Sequence, residues 1–164
     1  ELPVRDGELL LPDHSTIPIP DGLEPHDTSQ AAKRRRQIVA VAERFLGTEY
    51  VWAGRHIDGI DCSGFVQAVY GAEGIYLPRD ADQQHLCGRI SGTPDWPEDL
   101  APADLLFFSG PMGNISHVGI SLGDLRFIHA KGGDGVIRSS LNPESDEYDE
   151  WLASAFLVAK RTIR

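Results

Sequence analysis

The sequence predicts an α+β domain in which helices of the first half pack on an antiparallel sheet formed by the second half. Apolar residues between positions 28 and 86 recur at helical spacing. Between positions 104 and 161 they form short apolar runs separated by glycine-containing turns, which is typical of strands. Helices followed by strands, without regular alternation, favour an α+β fold.

Residues 1–30 contain five prolines, so we expect an extended arm or linker there, with one strand at residues 7–11. The remaining residues, 31–164, form the predicted main domain. A first helix is predicted from Thr28 or Ser29, either of which can cap it, to a stop at Gly47.

The middle of the chain is predicted to alternate between loops and helices. Loops are expected at residues 48–61 and 88–103, a helix at 62–70 and a shorter helix at 79–86. Five strands are predicted after these elements, at residues 104–109, 116–122, 126–130, 136–139 and 155–161. Gly123 and Asp124 form a turn signal, so the second and third of these strands should pair as a hairpin.

Composition and charge exclude several classes of protein. The chain has 164 residues, 41% of them hydrophobic and 24% charged, which fits one globular domain. No apolar run reaches the length of about 18 residues that a membrane span needs, so none is expected. The net charge of −10 argues against a nucleic-acid partner. We expect the basic cluster at 33–36 to be a solvated helix face and the acidic cluster at 144–150 to be a surface loop.

Cys62 is the candidate nucleophile, because it stands where a loop meets a helix. The free N–H groups of a helix N-terminus favour thiolate over thiol and can stabilise an oxyanion. The alternative is that Cys62 is a small buried apolar residue. Cys87 has no expected role, and a disulfide between the two cysteines is disfavoured because it would silence the nucleophile.

His117 and His129 are the candidates for a base and an orienting residue. Each lies in a predicted strand, and pairing of the two strands across the turn would make them neighbours. Two hydrogen-bonded core histidines are the alternative. His56 is a weaker candidate base and His85 a helix-surface residue, while the histidines of the arm, His14 and His26, are poor candidates. Zinc ligation by Cys62, His117 and His129 lacks any CxxC, HxxxH or HxH spacing, so no metal or other cofactor is predicted.

Five ordered segments of the sequence resemble motifs of the NlpC/P60 family of cysteine peptidases. They are YVWAG at 50–54, DCSGFV at 61–66, LPR at 77–79 followed by Gln83, ADLLFF at 103–108, and HVGI at 117–120 with FIHA at 127–130. The resemblance covers about residues 31–161, each motif at family-like spacing. It implies a papain-like fold in permuted order and hydrolysis of bacterial cell-wall peptides, typically after γ-D-glutamate and before diaminopimelate or lysine.

The resemblance also implies roles for individual residues. Cys62 would be the nucleophile, His117 the base and His129 the orienting residue. Tyr50 would help to hold the oxyanion. The residues that flank the nucleophile, Asp61 and Ser63, would recognise a free N-terminal L-alanine.

Other positions would bear on substrate binding rather than on chemistry. Trp52 would line the cleft, and Asp82 could attract an amine or merely cap a helix. Arg79 could be a structural anchor or a ligand for a substrate carboxylate. Ala53 stands where the family has glycine, and Ser121 where it often has tyrosine.

Several alternatives stay open at this stage. The fold could serve as a peptidoglycan-binding module without activity, or as an amidase or acyltransferase. The expected partner is peptidoglycan or a muropeptide, and we expect a monomer in the cell envelope or secreted, or in the cytoplasm if the enzyme recycles wall fragments. Residues 1–30 could be the remnant of an SH3-like domain, which precedes the catalytic domain in many relatives.

Overall fold

The computed structural model describes residues 4–5, 8–10, 15–18, 28–97 and 100–163. The chain divides into two units, Glu1–Gln30 and Ala31–Arg164. The first unit contains an antiparallel sheet of three strands: β1 (Val4–Arg5), β2 (Glu8–Leu10) and β3 (Thr16–Pro18). The single strand expected at residues 7–11 overlaps β2, and the expectation missed the other two. The link to an SH3-like domain stays a prediction, and His14 and His26 lie outside the described residues.

The second unit begins with the helices that the sequence predicted and adds a small hairpin. Helix α1 (Thr28–Glu43) ends four residues before the expected stop at Gly47, because residues 44–47 form turns. The predicted loop at 48–61 contains two paired strands, β4 (Arg55–His56) and β5 (Gly59–Ile60). Helix α2 (Cys62–Ala72) follows directly, and α3 (Ala81–Gln84) is a single short turn.

A six-stranded antiparallel sheet forms the other layer, in the order β10-β9-β8-β7-β11-β6. Its strands in chain order are β6 (Arg89–Gly92), β7 (Leu105–Ser109), β8 (Ile115–Gly123), β9 (Arg126–Lys131), β10 (Gly135–Ser140) and β11 (Phe156–Arg161). The prediction of loop at 88–103 was wrong over β6. Ile90 of this edge strand is 63% exposed, so β6 lacks the buried apolar face that marks a strand in sequence.

Helix α4 (Glu150–Ala155) was not predicted. It begins within the acidic cluster that was expected to be a loop, where Asp149 accepts a hydrogen bond from the Leu152 backbone N–H at 2.9 Å. An aspartate in this capping position satisfies one of the free N–H groups of the first turn. Leu152 is buried against the sheet residues Phe108 and Phe127, so packing holds this short helix.

The main core lies between α2 and the sheet. The apolar face of α2 predicted from its spacing, Phe65, Val66 and Val69, is fully buried there. The two layers confirm the predicted α+β fold with helices on a small antiparallel sheet.

The basic cluster of α1 is not merely a solvated face, because one of its members is half-buried. Arg35 donates to Asp104, to the Pro102 carbonyl and to the Ile163 carbonyl. Asp104 is fully buried and also pairs with Arg161 through two hydrogen bonds, at 2.9 and 2.8 Å. This cluster ties the first helix to the strands β7 and β11.

The β8–β9 hairpin confirms the predicted pairing. Asp124 and Leu125 both adopt positive φ, 52° and 62°, as a tight two-residue turn of a right-twisted hairpin requires. Ile120 pairs with Ile128 in the register that follows. That register places the side chains of His117 and His129 on the same face of the sheet, where they contact Phe108 and Phe127, while Val118 and Ile128 face α2 from the other side.

Candidate active site

Cys62 is the first residue of α2, as predicted, and is 8% exposed. The preceding Asp61 caps the helix by accepting a hydrogen bond from the Gly64 backbone N–H at 2.7 Å. The loop before the helix packs closely on it: a methyl group at Gly64 would lie 2.3 Å from the Gly54 carbonyl oxygen. This close approach between two glycine backbones fixes the loop and holds the cysteine at its junction with the helix.

Burial raises the pKa of the Cys62 thiol, and the nearby Asp61 carboxylate acts in the same direction. Hydrogen bonds from the Val118 backbone and from the first N–H groups of α2 favour the thiolate but do not outweigh burial. The helix N-terminus thus favours the thiolate as expected, but burial has the larger effect on the pKa of Cys62. The thiol is protonated at neutral pH and has to lose its proton during the reaction.

His117 and His129 lie together, as the hairpin predicted. His117 Nε2 is 2.7 Å from His129 Nδ1, and His129 Nε2 is 3.0 Å from the Ser139 hydroxyl oxygen. Because His117 Nε2 is occupied, Nδ1 is the ring nitrogen of His117 left to accept a proton. A neutral pair that leaves Nδ1 free has His117 Nε2–H donating to His129, whose Nε2–H donates to Ser139.

Both histidines are neutral at physiological pH. Burial, with a smaller contribution from the Lys131 charge, lowers the pKa of His117 from 6.5 to about 4. Burial and the neighbouring His117 lower the pKa of His129 well below its ordinary value. The resting site thus combines a neutral thiol with a neutral imidazole that can accept a proton.

A cleft of about 470 Å³ is lined by Cys62 but not by His117. All five predicted substrate-binding residues line it: Tyr50, Trp52, Asp61, Ser63 and Asp82. Trp52 is 83% exposed, so it belongs to the cleft wall and not to the core. Asp82 is exposed as well, and its side chain does not cap a helix in the part of the chain that the structure describes.

Arg79 determines the electrostatics of this cleft. Its guanidinium binds both carboxylate oxygens of Asp61, at 3.0 and 2.6 Å, and the Ser63 hydroxyl at 2.8 Å. Of the two roles considered for Arg79, the structure shows the anchor. The negative charge of Asp61 is balanced within the protein, which reduces its attraction for a substrate amine.

Tyr50 stands between this cleft and a second one. Burial raises the pKa of its phenol, and the charges of Cys62 and Asp61 act in the same direction. The second cleft, of about 210 Å³, lies on the His117 side and is lined by Tyr50, Ser116, His117, Lys131, Gly132, Trp151 and Leu152. Lys131 pairs there with Asp149 at 2.7 Å.

The NlpC/P60 family model matches residues 47–154, well over half of the chain. The chain belongs to the NlpC/P60 family. The NlpC/P60 domain of the peptidoglycan hydrolase SagA superimposes with a TM-score of 0.64 at 32% identity, over 77% of this chain and 97% of that domain. The resemblance found in the sequence motifs is confirmed.

Two curated relatives from Bacillus subtilis (strain 168) are similar to this NlpC/P60 chain. Gamma-DL-glutamyl hydrolase is 40% identical over 110 residues, and gamma-D-glutamyl-L-lysine dipeptidyl-peptidase is 36% identical over 126 residues. The alignments cover 65% and 76% of this chain. They cover 26% and 38% of the two relatives, so the chain spans less than half the length of either.

The other sequence candidates lie outside the NlpC/P60 clefts described above. His56 is exposed on β4, and His85 Nδ1–H donates a hydrogen bond to the Asp82 carbonyl at the end of α3. Cys62 and Cys87 are both free thiols. Among the residues that the structure describes, no three His, Cys, Asp or Glu side chains are placed to hold a metal ion. Within the same ranges, none of the helices combines the length and apolar character needed to cross a membrane.

Sequence reasoning missed several residues of the site. Ser139 was not singled out because a serine at the end of a predicted strand carries no signal of its own. Gln83 was matched to the family glutamine, but the neighbouring Gln84 is the buried one. Its amide donates to the carbonyls of Ser63 and Pro78, which joins the segment before α3 to the start of α2.

Proposed function

We propose that this chain is a cysteine endopeptidase that hydrolyses peptidoglycan stem peptides between γ-D-glutamate and the following diaminopimelate or lysine. The observation that carries the proposal is the line formed by His117, His129 and Ser139, next to a cysteine at a helix N-terminus whose sulfur is hydrogen-bonded by the backbone of the adjacent Val118. The two relatives named as glutamyl hydrolase and glutamyl-lysine dipeptidyl-peptidase support this substrate class.

The first half of the reaction forms an acyl-enzyme. His117 Nδ1 takes the thiol proton of Cys62 as the sulfur attacks the γ-carbonyl carbon. The Cys62 backbone N–H and the Tyr50 hydroxyl hold the oxygen that becomes negative. The tetrahedral intermediate collapses when His117 gives the proton to the departing amine, and a thioester remains.

Water completes the reaction. His117 removes a proton from water as the oxygen attacks the thioester carbon, and the proton returns to the sulfur as the thiol leaves. His129 keeps the imidazole in the required tautomer and hydrogen-bonds the cation that forms in each half.

We infer that each cleft receives one half of the substrate. The cleft that contains Cys62 without His117 receives the acyl half, L-alanyl-γ-D-glutamate. The cleft that contains His117 receives the departing amine, which takes its proton from that imidazole. In the acyl cleft, Asp61, Ser63 and Asp82 face the ammonium group of the L-alanine, and Asp82 supplies the charge that Arg79 does not balance.

Turnover of defined peptides tests the proposal. We expect L-Ala-γ-D-Glu-diaminopimelate or its lysine analogue to yield L-Ala-γ-D-Glu by mass analysis, and Cys62→Ser to abolish the product. Cys87→Ser is the matched control and keeps full activity. Binding without turnover by the wild-type protein would instead identify a binding module, and cleavage at another amide would identify an amidase. The same peptides with a blocked L-alanine amine test whether a free N-terminus is required, and such a requirement would favour recycling of wall fragments over remodelling of the wall.

A further inference from the structure

The acyl cleft contains two arginines that differ in what they contact. Arg79 is bound to Asp61 and Ser63 and is therefore committed to the protein. Arg55 also lines the cleft and is exposed, but its guanidinium makes no hydrogen bond or ion pair with the residues that the structure describes. It is thus the cation of this cleft that is available to a ligand.

The backbone of Arg55 is held firmly beside the nucleophile. Arg55 pairs with Ile60 in the β4–β5 hairpin, and Ile60 precedes Cys62 by two residues. The preceding residue, Gly54, packs its carbonyl against Gly64 of α2. A fixed backbone with a free guanidinium suits a binding residue, because little has to be ordered except the side chain.

The chemistry of the acyl half provides a ligand for this cation. In a γ-linked D-glutamyl residue the α-carboxylate is not part of the peptide chain, so it remains a free anion three carbons from the scissile carbonyl. The same cleft is lined by Asp80 and Asp82, whose carboxylates would repel that anion, whereas the charge of Asp61 is balanced by Arg79. An arginine matches a carboxylate with two parallel hydrogen bonds.

We propose that Arg55 binds the α-carboxylate of the γ-linked D-glutamyl residue and thereby selects glutamate over its α-amide, isoglutamine. The inference rests on the proposed function, since it assigns the acyl half to this cleft. Lys131 is the other cleft cation, but it lies on the His117 side and is paired with Asp149.

The test compares the wild-type protein and the Arg55→Gln variant on two substrates. L-Ala-γ-D-Glu-diaminopimelate is compared with the same peptide carrying D-isoglutamine, which differs only by conversion of the α-carboxylate to an amide. We expect the wild-type protein to prefer the carboxylate by at least about tenfold in kcat/KM, and Arg55→Gln to reduce that preference to within about threefold. We expect Arg55→Gln to lower kcat/KM for the carboxylate peptide and not for the amide. Arg55→Lys should retain part of the preference for the carboxylate. Equal losses on both peptides, or a wild-type enzyme that does not discriminate, would overturn the proposal.

A matched control and a binding measurement keep this test separate from the proposed function. Arg44→Gln makes the same charge change at an exposed residue outside both clefts and should leave the preference intact. Calorimetric affinities of both peptides for Cys62→Ser protein, with and without Arg55→Gln, report recognition without turnover. If the wild-type protein cleaves neither peptide, the proposed function fails, while the inference still succeeds or fails on whether Arg55 controls the affinity difference.

Discussion

His117 Nε2 lies 2.7 Å from His129 Nδ1, and this hydrogen bond joins side chains of two adjacent strands into one unit. Because this hydrogen bond occupies Nε2 of His117, Nδ1 is the nitrogen of that ring that can take a proton. Burial of both rings keeps them neutral, so the acceptor is ready before substrate arrives. In the resting site the thiol therefore keeps its proton, and Nδ1 of His117 carries none.

The acid limb of the pH profile should lie well below that of an ordinary histidine. The base has to be neutral, and burial lowers the pKa of His117 from 6.5 to about 4. Activity is thus present above this folded-state value and is lost as the pH falls through about 4. We expect kcat/KM measured from pH 3 to 8 to show that midpoint, with circular dichroism confirming the fold at each pH. A midpoint near 6.5 with the fold intact would contradict the prediction.

Alkylation of Cys62 should report a protonated thiol. Burial raises the pKa of Cys62 above its ordinary value of 9.0, so the thiolate fraction is small at neutral pH. We expect the iodoacetamide rate, measured in a Cys87→Ser background, to increase with pH beyond 9 without a plateau near neutrality. A plateau between pH 5 and 8 would instead indicate a thiolate–imidazolium pair.

Ser139 should act as a positioning residue for His129. Replacement by alanine removes the oxygen that accepts from His129 Nε2–H and leaves that group buried without a partner. Loss of the partner that orients a metal-bound histidine reduces activity by about 10- to 100-fold, and we expect an effect of that order here. We expect Ser139→Ala to lower kcat more than it raises KM, and Ser139→Thr to retain most of the activity. Ser154→Ala, an exposed serine of α4, is the matched control.

The parts of the site that could be predicted are those encoded within one short segment. A cysteine at a loop-to-helix junction and two histidines on either side of a tight turn are each visible locally, because the hairpin turn sets the pairing of β8 and β9. Lys131 and Trp151 could not be assigned to the site in the same way. Their cleft requires α4, whose six residues are too few to show helical periodicity.

The contacts of Arg79 and Arg35 show why long-range ion pairs escape sequence reasoning. Arg79 reaches Asp61 across 18 residues and Arg35 reaches Asp104 across 69, and no spacing rule links such positions. In both cases the sequence reveals the arginine but not the carboxylate with which it pairs. As a result, Asp61 seemed free for substrate and the basic cluster of α1 seemed fully solvated.

Asp104 should be one of the most sensitive positions for stability. It is fully buried and binds Arg161, Arg35 and the Ala101 backbone N–H. Asp104→Ala leaves two partly buried cations without their partner, which costs about 3–5 kcal/mol in comparable sites. We expect urea unfolding to show a loss of that size for Asp104→Ala and a smaller loss for Asp104→Asn. Asp95→Ala, an exposed carboxylate, should change the free energy of unfolding by less than about 0.5 kcal/mol.

Asp61 should contribute mainly to stability, because its oxygens are hydrogen-bonded by Gly64 and Arg79. Asp61→Ala removes the cap of α2 and leaves Arg79 without its partner, which should lower the free energy of unfolding by about 1–3 kcal/mol. Asp61→Asn keeps the oxygen that caps the helix, so it should lower the free energy of unfolding by less. Asp58→Ala, an exposed carboxylate of the same loop, is the control.

Kinetics on Asp61→Asn and Asp82→Asn separate the stabilising role of Asp61 from a role in substrate binding. Since Arg79 already balances the Asp61 charge, we expect Asp61→Asn to change KM for peptides with a free L-alanine amine less than Asp82→Asn does. Asp82 is exposed in the same cleft and forms no ion pair with the described residues, so its charge, like that of Asp80, is available to the amine. Acetylation of that amine should remove the effect of Asp82→Asn. If Asp61→Asn raises KM more than Asp82→Asn for the free amine alone, then Asp61 binds the ammonium despite its pairing with Arg79.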